Sequence, residues 1–235
     1  HVDQVVVPLH LGMRHAIEPD HLAAVTTLNL RAGGAWRSAL LGALWGLGHT
    51  LALFSLGGAL LLMRRQLLPP QAALLEGLVG LMLVGLGLSS LRQALQAGRG
   101  GPVREHSHHG QPHRHATLGA HVHVGGLTLL RRPLLVGFAH GLAGSGTLTA
   151  AALSALPNLN GVTPTQTSQL AYLLMFGAGS AVGMALLSGM LGLPLSQAAR
   201  RPRLHRRLSL CAGSASVLLG VYWTAMACGL WPQPL

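Results

Sequence analysis

Hydrophobic residues fill most of the chain in long blocks, and short polar segments separate one block from the next. The blocks lie at about 5–30, 38–63, 71–97, 133–156, 167–194 and 207–231. A helix rises about 1.5 Å per residue, so each block is long enough to cross a hydrocarbon layer of roughly 30 Å. The pattern predicts an all-α polytopic membrane protein with six transmembrane helices.

One polar connection is much longer than the others. Residues 98–132 are rich in histidine and glycine, and they divide the chain into a first group of three spans, residues 1–97, and a second group, residues 133–235. We expect this segment to lack regular structure. Its seven histidines between His106 and His123 suit weak capture of transition-metal ions, and the alternative is a flexible, pH-sensitive linker.

The composition supports the membrane interpretation. The chain is 50% hydrophobic and only 9% charged, whereas a soluble domain carries roughly 25% charged residues. Its 32 glycines suit helices that pack closely in lipid. A net charge of +11 would suggest nucleic acid in a soluble protein, but aromatic residues make up only 4% and the basic residues cluster between the apolar blocks. We therefore expect the lipid bilayer, and no nucleic acid, as a partner.

The basic residues also predict an orientation. All 16 are arginines, and they cluster in the connections after the first, third and fifth spans, whereas the opposite side has only Arg64 and Arg65 between spans. Cytoplasmic connections carry the excess of positive charge. Both termini are therefore predicted to lie outside the cytoplasmic (inner) membrane, with residues 98–132 in the cytoplasm.

The two halves share a sequence pattern. PLHLGMRHAIEPD, which begins at Pro8, aligns with PLLVGFAHGLAGS, which begins at Pro133, and four residues match at a constant offset of 125, including His15 with His140. WGLGHTLAL of the second span resembles FGAGSAVGM of the fifth. Because each half has an odd number of spans, the halves would be inserted in opposite senses. This predicts two inverted three-helix repeats, as in many transporters.

Polar residues interrupt the first hydrophobic block. The whole chain has five acids, and two of them, Glu18 and Asp20, lie here beside His15 and His21. A charged side chain at the bilayer centre costs about 2.5–3.5 kcal/mol or more, so these residues are functional candidates. Pro19 lacks an amide donor and disfavours helical geometry in the preceding residue. We predict a helix break between His15 and Asp20 that lets imidazoles and a carboxylate converge.

Imidazole and carboxylate groups together suit a divalent Ni, Co, Cu or Zn ion rather than Mg or Ca. Two further histidines are candidates. His49 follows Gly46 and Gly48 of the second span, which allow close approach of another helix, and His140 is the repeat counterpart of His15. The alternative is a simple helix start, with Asp20 as a cap and the histidines in interfacial water. The predicted metal-binding residues are His15, Asp20, His21, His49 and, with less support, His140.

Secondary candidates lie close to these residues in the sequence. Ser145, Thr147 and Ser180 carry hydroxyl groups at a similar level in the predicted spans. Arg14 is one helical turn before Glu18, and we expect it to pair with that acid or with a partner in another span.

At these residues the chain resembles the nickel/cobalt transporter (NiCoT) family. RHAIEPDHL is similar to the signature His-Ala-x-Asp-Ala-Asp-His after Arg, with Glu18 and Pro19 in place of the first acid and the second alanine. LGHT, at residues 47–50, resembles the second motif, and the pairs GF and GM echo later ones. HGLAGS, which contains His140, is similar to the six-span membrane proteins found alongside urease.

The resemblance implies movement of Ni²⁺ or Co²⁺, with ion-binding positions at His15, Asp20, His21 and His49. It also implies urease-maturation or metallochaperone partners. We therefore predict a secondary transporter that moves Ni²⁺ (or Co²⁺) across the cytoplasmic membrane, and we favour uptake. The chain has no lysine, so it lacks the Walker A motif of ATP-driven pumps. We expect no prosthetic group and no enzymatic activity. The alternatives are an exporter of the same fold and, less favoured, an intramembrane metalloenzyme.

Overall fold

The computed structural model describes residues 2–30, 32, 34–63, 67–97, 105–108, 111–114, 131–142 and 166–230. Within these residues the chain forms seven helical segments and one short pair of strands. The helices are α1 (Val2–His15), α2 (Pro19–Asn29), α3 (Ala35–Leu62), α4 (Pro69–Ala97), α5 (131–142), α6 (Gln166–Ala199) and α7 (Pro202–Ala227), and the strands are β1 (Glu105–His108) and β2 (Gln111–Arg114).

The predicted class, a polytopic membrane protein built from helices, is confirmed. Four helices of the described part are long and apolar enough to cross a membrane: Ala35–Leu62, Pro69–Gln96, Thr167–Ala199 and Pro202–Ala227. Their ends lie within a few residues of the predicted ones. The count of six spans stays a prediction, because much of the predicted fourth span lies outside the described residues and the first span consists of two shorter helices.

The first hydrophobic block is broken where the sequence predicts it. α1 ends at His15, and α2 begins at Pro19 after three residues in tight turns, in which the amides of Ile17 and Glu18 bond to carbonyls three residues earlier. Glu18 has extended backbone, with φ −63° and ψ 151°, as expected for a residue before proline. Proline fits the first helical position because its missing amide would have no partner there. At about 1.5 Å per residue, neither helix alone spans roughly 30 Å.

The long helices pack in two groups. α3 lies against α6, and α1 lies against the same helix, whereas α4 pairs with α7. The short helix α2 contacts α3, α4, α6 and α7, so it bridges the two groups. Its last residue is fixed from the side, since the Asn29 amide donates to the Ser188 carbonyl of α6 at 3.2 Å. The polar start of α2 is therefore held in the interior of the bundle.

Glycines allow α1 to cross α6 at backbone contact. A methyl group added at Gly12 would overlap the carbonyl oxygen of Phe176, and one added at Gly179 would overlap that of Leu9. A methyl at Gly183 would lie 2.8 Å from the Ala16 side chain. Small residues at such positions are what close helix packing in lipid requires. We refer to this contact as the α1–α6 crossing.

A second crossing, between α5 and α3, has the same kind of contacts. Added methyl groups would overlap the carbonyl oxygen of Trp45 at Gly137 and that of Leu134 at Gly48. A methyl group added at Gly141 would lie 2.9 Å from the side chain of Ala52 on α3. We refer to this contact as the α5–α3 crossing. Each of its members is the repeat counterpart of a member of the α1–α6 crossing in the sequence alignment.

Large apolar side chains cover the outer surface of the helices. On α4 they recur mostly at seven-residue intervals, and on α7 they form a similar exposed face. A soluble protein rarely exposes contiguous apolar surface of this size, whereas a bilayer solvates it. Exposed positions on α4 include Leu74, Leu78, Leu81, Leu88 and Leu95.

The expectation that residues 98–132 lack regular structure is wrong for ten of these residues: eight lie in β1 and β2, and Arg131 and Arg132 begin α5. β1 and β2 form an antiparallel pair in which Glu105 lies opposite Arg114 and His106 opposite His113. The remainder of the segment lies outside the described residues.

Candidate metal centre

The five predicted ligands come from four different helices. His15 is the last residue of α1, Asp20 and His21 lie in the first turn of α2, His49 lies in the middle of α3, and His140 is on α5. The four imidazoles are buried, with exposed fractions of 4% for His15, 1% for His21 and His140, and 0% for His49. The fold therefore gathers all five side chains in its interior, although they span 126 positions of the sequence.

Short polar contacts join these side chains. The Nε2 atoms of His15 and His49 lie 3.3 Å apart. The carboxylate of Asp20 contacts two imidazoles at once, with Oδ1 3.1 Å from His21 Nδ1 and Oδ2 3.0 Å from His140 Nε2. Asp20 is thus the acid at the centre of the histidine cluster, and its charge offsets part of the cost of placing a cation there.

The imidazole rings are packed against one another. The ring centroids of His15 and His21 are 4.4 Å apart, and those of His21 and His140 are 4.3 Å apart. His49 lies 5.2 Å from both His15 and His21. His21 is therefore in contact with all three other histidines and occupies the middle of the cluster.

Four buried ring nitrogens of this cluster have no hydrogen-bond partner in the described residues: His15 Nδ1, His21 Nε2, His49 Nδ1 and His140 Nδ1. Each buried polar atom left without a partner costs about 1–3 kcal/mol, so native proteins rarely leave several together. A lone pair on a ring nitrogen is also what a transition-metal ion requires. Of these atoms, His21 Nε2 is free to bind a cation on the side of its ring away from Asp20. The unpartnered Nδ1 atoms of His15 and His49 lie on the opposite sides of their rings from the Nε2 atoms that face each other.

The spacing of the ligand atoms suits one ion. His15, His21 and His49 each place a donor atom within 4.8 Å of the others, and so do Asp20, His21 and His140. A metal–nitrogen bond of about 2.1 Å and a ligand angle of roughly 90–110° separate two ligand atoms by about 3.0–3.4 Å. The separation of 3.3 Å between the Nε2 atoms of His15 and His49 lies in this range.

Glu18 lies at the edge of the cluster. Its Oε2 atom is 3.0 Å from His15 Nδ1, but the orientation does not satisfy hydrogen-bond geometry, and the carboxylate is 49% exposed. Among the described residues, Glu18 contacts His15 and not Arg14, which was its expected partner. Glu18 therefore lies beside His15 at the exposed edge of the cluster and is not part of either group of close donor residues.

Two aromatic residues that were not among the predicted site residues flank the histidines. The ring of Trp45 lies 5.4 Å from that of His21 and 5.5 Å from that of His140, and the ring of Phe176 lies 5.5 Å from that of His15. They belong to separate buried hydrophobic clusters. The alignment of WGLGHTLAL with FGAGSAVGM pairs these two residues, and this pairing is the sequence feature that could have indicated them.

The secondary candidates have different outcomes. Ser180 is fully buried on α6, and its hydroxyl donates to the carbonyl of Gly12 at 3.2 Å, so it has a structural partner at the α1–α6 crossing. Ser145 and Thr147 lie outside the described residues.

Fold and site together define a class: a polytopic helical membrane protein whose interior presents imidazole and carboxylate donors suited to a transition-metal ion. The sequence profile of the NicO family, described as high-affinity nickel-transport protein, matches residues 5–201. The chain belongs to this family of nickel-transport proteins. It is therefore a transport protein, and the less favoured interpretation as an intramembrane metalloenzyme is wrong.

The chain is also similar to a curated protein over most of its length. The chain is 32% identical over 213 residues to the urease accessory protein UreH of Bacillus sp. (strain TB-90), and the match covers 91% of this chain and 86% of the relative. No solved structure matches the chain.

Proposed function

We propose that the chain is a secondary transporter that carries Ni²⁺, and also Co²⁺, into the cytoplasm, and that the histidine cluster with Asp20 binds the ion during its passage. The observation that carries this proposal is the convergence of five donor residues from four helices in a buried site, where the donor atoms of two groups of three lie within 4.8 Å of one another. Family membership supplies nickel transport, and the cluster supplies a place where the ion can shed its water.

The ion would exchange water ligands for protein ligands inside the cluster. Imidazoles bind Ni²⁺ and Co²⁺ well, and the carboxylate of Asp20 provides the negative charge that a dication needs in a low-dielectric environment. Oxygen-preferring Mg²⁺ and Ca²⁺ would find one carboxylate among imidazoles, which is a poor ligand set for them. The composition of the cluster therefore favours late first-row transition metals.

The proposed architecture is two inverted three-helix repeats, residues 1–97 and 133–235. The equivalent contacts of the α1–α6 and α5–α3 crossings support it, since Gly12 and Gly137 are counterparts, as are Phe176 and Trp45. In inverted-repeat transporters the substrate lies near the midplane, where interrupted helices from both halves meet. The break between α1 and α2 at Pro19, beside His140 of the second half, fits this arrangement.

Orientation and driving force follow from the arginines. With both termini outside the cytoplasmic membrane, residues 98–132 would lie in the cytoplasm, where their histidines would buffer arriving ions. A membrane potential of 100 mV, inside negative, is worth about 2.3 kcal/mol per elementary charge and so about 4.6 kcal/mol for a dication. This favours inward movement without ATP.

The use of the imported ion is suggested by the relative. UreH is named a urease accessory protein, and we extend that association to this chain: the Ni²⁺ would supply urease maturation or a metallochaperone. If so, deleting the gene should lower urease activity in a host that carries urease, and excess Ni²⁺ in the medium should restore it. Unchanged urease activity at limiting Ni²⁺ would remove this part of the proposal.

Transport is tested with purified protein in liposomes that contain a nickel-sensitive dye. Ni²⁺ and Co²⁺ should enter faster when the interior is made negative, and Mg²⁺ should not enter. Asp20→Asn should abolish entry because it removes the carboxylate charge, while Thr26→Ser, outside the cluster on the same helix and with its hydroxyl kept, should retain it. Liposomes that admit neither ion at either sign of the potential would refute the proposal, and ion release driven only outward would favour the exporter.

A further inference from the structure

The donors of the cluster fall into two overlapping groups. His15, His21 and His49 form one group of mutually close ligand atoms, and Asp20, His21 and His140 form the other. His21 is the one residue that both groups share. We call the first group, with three imidazoles, the nitrogen station, and the second, with two imidazoles and a carboxylate, the carboxylate station.

We propose that the two stations are successive positions of one transported ion, and that His21 passes the ion from one to the other. This inference rests on the proposed function and adds a path to it. The cluster would then be two three-ligand sites used in turn rather than a single five-ligand site.

His21 has the bonding arrangement that such a transfer needs. Its Nδ1 atom faces Asp20 Oδ1 at 3.1 Å, on the side of the carboxylate station, whereas its Nε2 atom is buried without a partner. The two nitrogens of an imidazole ring point away from each other. A neutral imidazole has one nitrogen with a free lone pair and one that carries the proton, so His21 binds an ion on one side at a time.

The two stations are held by different contacts in this structure. In the nitrogen station the Nε2 atoms of His15 and His49 lie 3.3 Å apart, a spacing that one shared proton or one cation can bridge. In the carboxylate station, Asp20 contacts His21 and His140 at 3.1 and 3.0 Å. An ion that enters either station must replace these internal contacts: one between two imidazoles in the nitrogen station, and two to a carboxylate in the carboxylate station.

Each station has one aromatic neighbour next to a histidine that the other station lacks. Phe176 contacts His15 of the nitrogen station, and Trp45 contacts His140 of the carboxylate station, each with ring centroids 5.5 Å apart. Under the predicted orientation α3 runs from the cytoplasmic to the outer side, so Trp45 lies on the cytoplasmic side of His49. An ion moving inward would thus reach the nitrogen station first, and repulsion between two dications so close together would restrict the path to one ion.

The test uses purified protein loaded with Ni²⁺ and X-ray absorption to count imidazole and carboxylate ligands. His140→Ala removes only the carboxylate station and should leave an ion with three imidazole ligands. His49→Ala removes only the nitrogen station and should leave two imidazoles and a carboxylate. Both variants should bind about one ion yet lose at least about tenfold in transport, since removal of even an outer-sphere partner costs that much.

The controls address folding and location. His10→Ala changes an exposed histidine of α1 and should match the unsubstituted protein in ligand count and transport. If an alanine variant is not monodisperse, His49→Gln and His140→Gln, which keep more of the side-chain volume, take its place.

Two results would overturn the inference. If the two variants keep the same ligands, three imidazoles and one carboxylate each, the cluster is a single five-ligand site, and the proposed transport function still stands. If the unsubstituted protein binds no Ni²⁺, the proposed function and the two stations both fall.

Discussion

The two helix crossings share a backbone arrangement but differ in chemistry. In the α5–α3 crossing, His49 follows Gly48, and in the α1–α6 crossing the equivalent residue after Gly179 is Ser180. Both are fully buried. His49 faces His15 across the site, whereas Ser180 donates to the backbone of Gly12. Glycines thus set where the helices meet, and the single residue beside them decides whether the crossing contributes a donor to the histidine cluster or a structural hydrogen bond.

The largest expected effect is loss of the crossings themselves. Gly12→Ala and Gly137→Ala would each place a methyl group on a backbone carbonyl of the opposite helix. We expect each to destabilise the protein by about 1–3 kcal/mol or more, as overpacking does, and to lower its melting temperature in detergent.

The matched control for the glycine variants is Gly85→Ala. Gly85 is also helical, and an added methyl there would meet nothing within 4 Å. Alanine should stabilise that helix by about 0.5–1 kcal/mol. If Gly12→Ala and Gly137→Ala have the same melting temperature as Gly85→Ala, the helices do not approach as closely as described.

The next effect separates the two crossings by function. His49→Ala should reduce Ni²⁺ transport in liposomes by at least about tenfold, as expected when a metal site loses a ligand. Ser180→Ala, at the equivalent position, should leave most of the transport rate intact because its hydroxyl bonds to Gly12 and not to the histidines. Equal losses in both variants would contradict the assignment of different roles.

A smaller effect concerns the stability contributed by Ser180. Its hydroxyl donates to the Gly12 carbonyl at 3.2 Å in a fully buried position. Removing it in Ser180→Ala should cost about 0.5–1.5 kcal/mol of unfolding free energy, the usual net value of such a bond. Ser55→Ala, which changes an exposed serine bonded within its own helix, is the comparison and should cost less. An equal shift in both variants would mean that the bond across the crossing adds nothing.

The smallest effect is expected for one exchange within the aromatic pair, Trp45→Phe, and the reverse exchange at its counterpart serves as the contrast. Trp45 is fully buried and its indole nitrogen has no hydrogen-bond partner in the described residues. Trp45→Phe loses packing but removes an unpartnered donor, which itself costs about 1–3 kcal/mol, so the net change should be small. The opposite exchange, Phe176→Trp, should destabilise by about 1–3 kcal/mol through overpacking. Thermal melting of both variants distinguishes these outcomes.

Much of the site was predictable from the sequence because its residues are unusual for their surroundings. Acids and histidines are costly inside a bilayer, so His15, Asp20 and His21 stand out in the first hydrophobic block. Pro19 marked the helix break, which the structure confirms between His15 and Pro19 itself. The repeat pointed to His140. That these residues bind the transported ion stays a prediction.

The sequence was less informative where tertiary contacts decide. Trp45 and Phe176 are apolar residues in apolar helices, so their packing against the histidines had no local signature. The partner of Glu18 depended on the tight turns after α1, which bring His15 rather than Arg14 against the carboxylate. Part of the segment at 98–132 forms two paired strands, which its low apolar content did not indicate.

Sequence by itself determined that this chain is a helical membrane protein. Its low charge and long apolar blocks give helices with an apolar surface, which lipid solvates and water does not. It also determined the family, because the donors in the first two spans form a recognisable pattern. Only the tertiary structure decided that Asp20 contacts His21 and His140 together and that His21 is shared by two donor groups. Those distances depend on how α1, α2, α3 and α5 pack in the bundle, and the spacing of residues along the sequence does not specify that packing.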